Sequence, residues 1–432
     1  MTKHMFRWMT LILLVQGVLL SAQIENIEVG GVKVPLIYEK DTTLPIASMQ
    51  LIFRNSGSIA DGKAPGIASF SASVLNEGTR TLGAVGFATR LEEQAIHLSA
   101  HSGTETFVLE LESLKEQFAK GVDLLDMLLK DPNLTDETID KVRLLKLSRI
   151  KQKENDFDYI ANLGLKLLVY KDTPLGHPSI GTKASLSRLT TEDIRRFIAV
   201  HLVLSRAIVV IGGDMGLEEA KRFAKQALTP LQKGAMAPLP FVRHLEKPAE
   251  TVAKRDTKQA YVYFSAPYHV RADDKARYKA KVAAFILGAG GFGSRMMEEI
   301  RVKRGLAYSA YARANINKSH TSLKGYLQTK LESQDEAIAL VKKVVADFVA
   351  KGVTQEELDQ AKKFILGSEP LRNEILSQRL NRTFMEFYQG LGIGYHTREL
   401  AEIEALKLED LNRFIASHDE ITKLSFSIVT KK

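Results

Sequence analysis

The chain has 432 residues and a formal net charge of +9, and 45% of its residues are hydrophobic, which is enough for a large core and more than one domain. Acidic residues interrupt the basic ones along the chain and only 7% of residues are aromatic, so the composition argues against a nucleic-acid groove. The absence of cysteine excludes disulfides, a thiol nucleophile and a thiolate metal site.

Residues 1–22 are typical of a secretory signal peptide. Lys3 and Arg7 precede an apolar run from Met9 to Leu20, and the small residues Ser21 and Ala22 follow it. The run is too short to span a membrane, which takes about 20 apolar residues. We therefore expect cleavage near this point, a periplasmic or secreted mature protein, and no membrane attachment after cleavage.

The remaining chain divides into two halves in which the same elements follow in the same order. Each half is expected to contain, in order, a strand, a helix of small residues, a strand followed by an amphipathic helix, a capped helix, and a second capped helix followed by a closing strand. Thr135 and Thr354 are the predicted N-caps of the corresponding middle helices. The segments that carry this pattern are 44–58, 65–78, 104–129, 131–150 and 189–214 in the first half, and 257–270, 282–301, 321–349, 351–370 and 406–432 in the second.

This order predicts an α+β fold made of two duplicated domains, each a mostly antiparallel sheet covered by helices. We place the first domain at residues 23–236 and the second at 237–432. Between them, around residues 228–251, proline, glycine and short polar residues replace the periodic pattern. A duplicated α+β fold specifies no activity by itself.

A metal site has little support among the ten histidines, none of which lies in H-E-x-x-H or H-x-x-E-H. His97 and His101 are four apart, a spacing that suits zinc on a helix, but the surrounding pattern is that of a strand. Ser69, Ser71 and Ser73 lack a G-x-S-x-G elbow, and we interpret them as the closely packed face of a buried helix.

The second half contains a glycine-rich segment with Gly288, Gly290, Gly291 and Gly293. A phosphate loop is one interpretation, but no Lys-Ser/Thr follows the glycines. An extended peptide suits the segment better, because glycines allow close backbone approach and the Arg and Tyr that follow can donate hydrogen bonds to carbonyls.

On three stretches, residues 65–79, 175–197 and 290–312, the chain resembles the insulinase/pitrilysin family of inverted-motif zinc metallopeptidases, in particular the small bacterial type similar to processing peptidases. Active members carry H-x-x-E-H, in which two histidines and a distant glutamate bind zinc and the motif glutamate is the general base. The corresponding positions here are Ser69, Ala72, Ser73 and, at or near the distant glutamate, Arg149. The resemblance therefore implies that this chain binds no metal.

The family also has an Arg and a Tyr seven residues apart that bind the substrate backbone near the scissile bond, and Arg301 and Tyr308 match this pair. A structural role is the alternative, with Arg301 paired to Glu298 and Tyr308 packed at the start of a strand. By resemblance, the chain would form half of a clam-shell chamber that encloses an extended peptide, while a homologous H-x-x-E-H partner subunit supplies the zinc. It would have no independent activity. The competing hypothesis is a non-enzymatic scaffold or peptide-binding protein that keeps the fold.

Overall fold

The computed structural model describes residues 22–431, which form two β-sheets and the helices around them. The predicted signal peptide lies, except for Ala22, outside the described residues. No helix within residues 22–431 has both the length and the apolar character needed to cross a bilayer.

The elements of the first half are β1 (Gln23–Val29), β2 (Val32–Lys40), β3 (Ile46–Arg54), α1 (Ile67–Leu75), α2 (Gly83–Glu92), β4 (His97–Ser102), β5 (Thr106–Leu114), α3 (Lys115–Lys130), α4 (Asp136–Lys153), α5 (Phe157–Val169), α6 (Lys183–Leu186), α7 (Thr191–His201), β6 (Ala207–Gly213) and α8 (Leu217–Leu228). The elements of the second half are β7 (Glu250–Arg255), β8 (Gln259–Pro267), α9 (Arg277–Ala284), β9 (Ala307–Ile316), β10 (Thr321–Lys330), α10 (Gln334–Lys351), α11 (Gln355–Gly367), α12 (Leu376–Gln389), α13 (Tyr395–Ala405), α14 (Leu408–Ala416) and β11 (Ser425–Lys431). Two π-helical turns, Phe285–Ala289 and Met297–Val302, lie between α9 and β9.

The first sheet has the strand order β1-β2-β6-β3-β5-β4 and the second has the order β7-β11-β8-β10-β9. All neighbours pair antiparallel except β2 with β6 and β7 with β11. Residues 229–249, between the two sheets, contain no helix or strand. The predicted fold of two mostly antiparallel sheets covered by helices is confirmed.

Local chemistry explains why the predicted elements form. Thr135 accepts a hydrogen bond from the amide of Thr138, and Thr354 accepts one from the amide of Glu357, so both threonines are the helix caps that the sequence predicted. In β3, Met49 and alternate neighbours enter the main core of the first half. The intervening residue Ile52 faces the opposite side of the sheet, as expected for a strand of period two.

Each sheet is covered on that opposite side by a helix from the other half of the chain. Helix α5, from the first half, packs on β8 and β11 through a cluster that includes Leu165 and Val429. Helix α12, from the second half, packs on β2 and β6 through a cluster that includes Phe384 and Val210. The two halves are therefore tied together by exchanged helices, a feature that the order of elements in the sequence did not predict.

Candidate functional site

The side chains of Arg301 and Tyr308 lie against each other at the surface of the second half. The guanidinium carbon of Arg301 is 4.4 Å from the centre of the Tyr308 ring and 4.7 Å from the centre of the Phe292 ring. The cation is thus held beside two aromatic rings, an arrangement that stabilises its position. Tyr308 is 81% exposed and Phe292 is 70% exposed, so both rings face solvent, and Arg301 is partly exposed between them.

A β-bulge directs Tyr308 outward. Leu327 of β10 lies opposite Ala310, but Thr329, two residues on, lies opposite Ala307. The β9 strand therefore has one extra residue in this interval, and both alanines can enter the core while Tyr308 projects from the sheet. Bulges commonly redirect side chains in this way next to functional sites.

Within residues 22–431, the side chain of Arg301 forms no ion pair and no hydrogen bond. Glu298 does not pair with it, and the neighbouring Glu299 binds Lys303 and Arg304 instead, each at 2.7 Å. The alternative in which Glu298 neutralises Arg301 is therefore not what the structure shows. The guanidinium keeps its N–H groups available for a ligand carbonyl or carboxylate.

The four glycines of the predicted peptide-binding segment have different surroundings. Gly288 is buried, and a Cβ there would lie 2.3 Å from the backbone nitrogen of Ala312, so this glycine lets the π-helical turn pack on β9. A Cβ on Gly290 would lie 2.8 Å from the Phe285 ring. Gly291 and Gly293 have φ values of +66° and +92°, a region that favours glycine, and they form the exposed turn.

That turn carries Phe292, which the sequence reasoning missed. The glycines on both sides of this aromatic residue have poor helix propensity, and this pattern indicates that the residue lies in a turn. The glycines therefore shape the turn and position the Phe292 ring beside Arg301.

In the first half, the positions that correspond to the family's zinc motif lie on α1. The Ser69 hydroxyl accepts a hydrogen bond from the Lys146 ammonium at 2.8 Å, and the Ser73 hydroxyl donates to the Ser69 carbonyl oxygen at 3.1 Å. Ala72 and Ser71 are buried, whereas Ser69 and Ser73 are partly exposed. The helix is mostly buried, as expected, but Ser69 and Ser73 lie at the border of its buried face.

Lys146 is only 5% exposed, and the sequence reasoning did not single it out. It follows Ile139 and Val142 at helical spacing on the buried side of α4. A lysine in such an apolar stripe is the feature of the sequence that indicates a buried amine. Burial, together with the positive charge of Arg149, lowers the pKa of Lys146 to about 8, although the carboxylate of Asp61 opposes both effects. Arg149, one turn along α4, is exposed and forms no ion pair within the described part of the chain.

These residues do not fit a zinc ion. Zinc takes imidazole, thiolate or carboxylate ligands, whereas this position offers hydroxyls, a methyl group and an ammonium that would repel a dication. Among residues 22–431, no three His, Asp or Glu residues come together where they could hold a metal. His97 and His101 lie in β4, as the strand pattern predicted, and their four-residue spacing puts them about 13 Å apart, too far to share an ion.

The edges of the two sheets are partly occupied. Strand β4 is one edge of the first sheet, and the side-chain amide of Asn76 donates to the Ala100 carbonyl oxygen at 2.9 Å and accepts from the Ala100 amide at 2.7 Å. At β9, the Ala310 amide points at the sulfur of Met297, 3.4 Å away. A peptide that added as a strand to β4 would have to displace the Asn76 side chain. A peptide that bound at the Arg301–Tyr308 pair would not have to displace a side chain from Tyr308, which is already exposed.

The structure therefore defines a duplicated α+β chain with an exposed Arg–Tyr pair in its second half and a serine–lysine contact in its first. Residues 36–183 match the family model described as insulinase (peptidase family M16), and residues 188–365 match the model described as the peptidase M16 inactive domain. The chain belongs to the insulinase family, peptidase family M16, and the resemblance identified from the sequence is confirmed.

Two similar proteins illustrate the range of the family. A Helicobacter pylori protein named non-peptidase homolog YmxG is 44% identical, and the match covers 98% of each chain. An uncharacterized zinc protease of Mycobacterium leprae is 27% identical over 80% of this chain and 78% of its own length.

Solved structures show the same fold. A peptidase M16 inactive domain from Pseudomonas fluorescens superposes with a TM-score of 0.87 at 23% identity and covers 95% of this chain and 98% of its own. The periplasmic protease PqqL of Escherichia coli gives a TM-score of 0.76 at 14% identity and covers 95% of this chain, which spans 47% of that protein. The chain therefore has the fold that these proteins share.

Proposed function

We propose that this chain is the zinc-free, substrate-binding subunit of a heteromeric zinc endopeptidase that works in the periplasm or outside the cell. A homologous partner with an H-x-x-E-H motif supplies the zinc, and the two chains form a clam-shell around an extended peptide. The observation that carries the proposal is the Arg301–Tyr308 pair, in which the guanidinium lies against the exposed ring of a tyrosine on a bulged strand.

The proposed chemistry assigns one role to each side chain. The Tyr308 hydroxyl donates to the scissile carbonyl oxygen as negative charge develops on it, an effect often worth about 3 kcal/mol in the transition state. Arg301 binds a neighbouring substrate carbonyl and keeps the Tyr308 ring in place. The chain itself provides no base and no metal for this reaction.

The second candidate is a non-enzymatic scaffold or peptide-binding protein. The name of the Helicobacter pylori relative, a non-peptidase homolog, favours it, since that protein is similar over nearly its whole length. That name fits the first candidate as well, because a zinc-free subunit is not a peptidase alone.

The first candidate predicts zinc-dependent peptide cleavage only in the complex. The full chain would be co-purified with an H-x-x-E-H homologue from the same genome and assayed with a quenched fluorescent peptide, with and without 1,10-phenanthroline. We expect Tyr308→Phe in the complex to lower kcat about 100-fold, because one transition-state hydrogen bond is lost, with a smaller change in KM. Arg301→Ala should mainly raise KM.

Tyr261→Phe is the matched control, because Tyr261 is a partly exposed tyrosine of β8 outside the proposed site. It should leave both constants unchanged. An active complex in which the Tyr308→Phe/Arg301→Ala double variant cleaves as fast as the unmodified chain would contradict the assigned roles. A chain that forms no cleaving complex, but binds the peptide in a way that depends on Arg301, would support the second candidate instead.

A further inference from the structure

We propose that Ser69 and Lys146 form a nucleophile and general-base pair, which lets this chain react with acyl esters at its own surface without any zinc. The site lies in the first half, where active relatives would hold their metal, and it is separate from the Arg301–Tyr308 pair. No hydrogen bond, ion pair or ring contact within the described chain links the two sites.

The geometry is that of an activated serine. The Lys146 Nζ lies 2.8 Å from the Ser69 Oγ, within the range expected for a nucleophile and its base. This is the only hydrogen bond that the Nζ forms within residues 22–431, so the amine is directed at the hydroxyl. Ser69 is partly exposed, whereas the lysine stem is buried between α1 and α4. Serine–lysine pairs of this kind replace the serine–histidine arrangement in some hydrolases.

The surroundings lower the pKa of the amine. Burial is the main cause that lowers the pKa of Lys146 to about 8, and the Arg149 charge acts in the same direction. Asp61 acts in the opposite direction, but burial raises its own pKa to about 7, which weakens its negative charge near neutrality. A substantial fraction of Lys146 therefore becomes unprotonated just above neutral pH, as a general base requires.

The reaction that this pair supports is acyl transfer. The Ser69 Oγ attacks the ester carbonyl carbon while Lys146 takes the hydroxyl proton and then passes it to the leaving alcohol, so that one ester bond forms as the other breaks. Lys146 then takes a proton from a water molecule that attacks the acyl carbonyl carbon. The bond to Ser69 Oγ breaks, the Lys146 ammonium protonates that oxygen, and the acyl group leaves as a carboxylic acid. The exposed Arg149 guanidinium, whose charge acts on Lys146, adds positive charge to this part of the surface, which favours a developing oxyanion.

The test uses the full chain alone, in the presence of 1,10-phenanthroline, and a fluorophosphonate probe, which phosphonylates activated serines with loss of fluoride. We expect one covalent adduct, located on Ser69 by peptide mass spectrometry. Its rate of formation should rise about tenfold between about pH 7 and pH 9, because the neutral fraction of an amine with a pKa near 8 rises by that factor. Because no partner is present, the outcome is independent of the proposed peptidase complex.

Variants separate a chemical role from a structural one. Ser69→Ala should abolish the adduct, and Lys146→Met should slow its formation at least about 100-fold. Lys146→Arg keeps a positive hydrogen-bond donor but cannot act as a base, so it should be as slow as Lys146→Met. Ser73→Ala removes the neighbouring hydroxyl and should react like the unmodified chain. An absence of adduct on Ser69 at every pH, or full reactivity of Lys146→Arg, would overturn the proposal. If Lys146→Met fails to fold, the pH profile of the unmodified chain still tests whether an amine with a pKa near 8 controls the reaction.

Discussion

Truncation of Phe384 to alanine is expected to lower the free energy of unfolding by about 3–5 kcal/mol, the usual cost of emptying a buried aromatic site. Phe384 lies on α12, in the second half of the chain, but only 8% of it is exposed because it packs on the first sheet. Its ring stacks on Tyr388 with the centroids 5.4 Å apart. The loss should therefore destabilise the contact between the two halves rather than the core of either one.

Urea unfolding followed by far-ultraviolet circular dichroism measures the change, and Phe364→Ala is the matched control. Phe364 belongs to the same half and is 52% exposed, so its truncation should cost less than about 1 kcal/mol. Hydrogen exchange adds a spatial test, because the amides of β2 and β6 should exchange faster in Phe384→Ala although the mutation is in the other half. If only the amides of α12 exchanged faster, and those of β2 and β6 did not, the packing of α12 on the first sheet would not be what couples the two halves.

The order of elements was predictable because local signals determine it. Alternating residues specify strands such as β3, and a threonine before acidic residues specifies the start of α4 and α11. The exchange of α5 and α12 was not predictable on the same basis. An apolar stripe shows that one helix face is buried, but it contains no information about which sheet covers that face.

The candidate sites show the same limit. The seven-residue spacing of Arg301 and Tyr308 could be found in the sequence, but the bulge that exposes Tyr308 depends on pairing with β10, which no local pattern records. Lys146 lies one turn away from Arg149, which corresponds to the family's distant glutamate, and the family motif does not include this lysine. Lys146 contacts Ser69 only because α1 and α4 pack together, so its role depends on tertiary structure.

Replacement of Lys146 by methionine should make the chain more stable at about pH 7, by up to roughly 3 kcal/mol, and this gain should disappear as the pH rises. The pKa of Lys146 is about 8 in the folded chain, compared with an ordinary value of 10.5. Below about pH 8, the amine is charged in both the folded and unfolded states, so the folded state bears the full cost of burying that charge. Between about pH 8 and pH 10.5, the unfolded chain binds more protons than the folded one, and the unmodified chain therefore gains stability relative to the variant.

The measurement is the difference in unfolding free energy between the two proteins at several pH values from about 7 to 10. Lys151→Met is the control, since Lys151 is an exposed lysine of the same helix and its substitution should change stability by no more than about 0.5 kcal/mol throughout. A difference for Lys146→Met that stays constant with pH would mean that its amine titrates alike in both states. In that case the amine would remain charged at neutral and mildly alkaline pH and could not serve as the base for Ser69. Stability measurements alone can therefore test the protonation on which the proposed reaction depends.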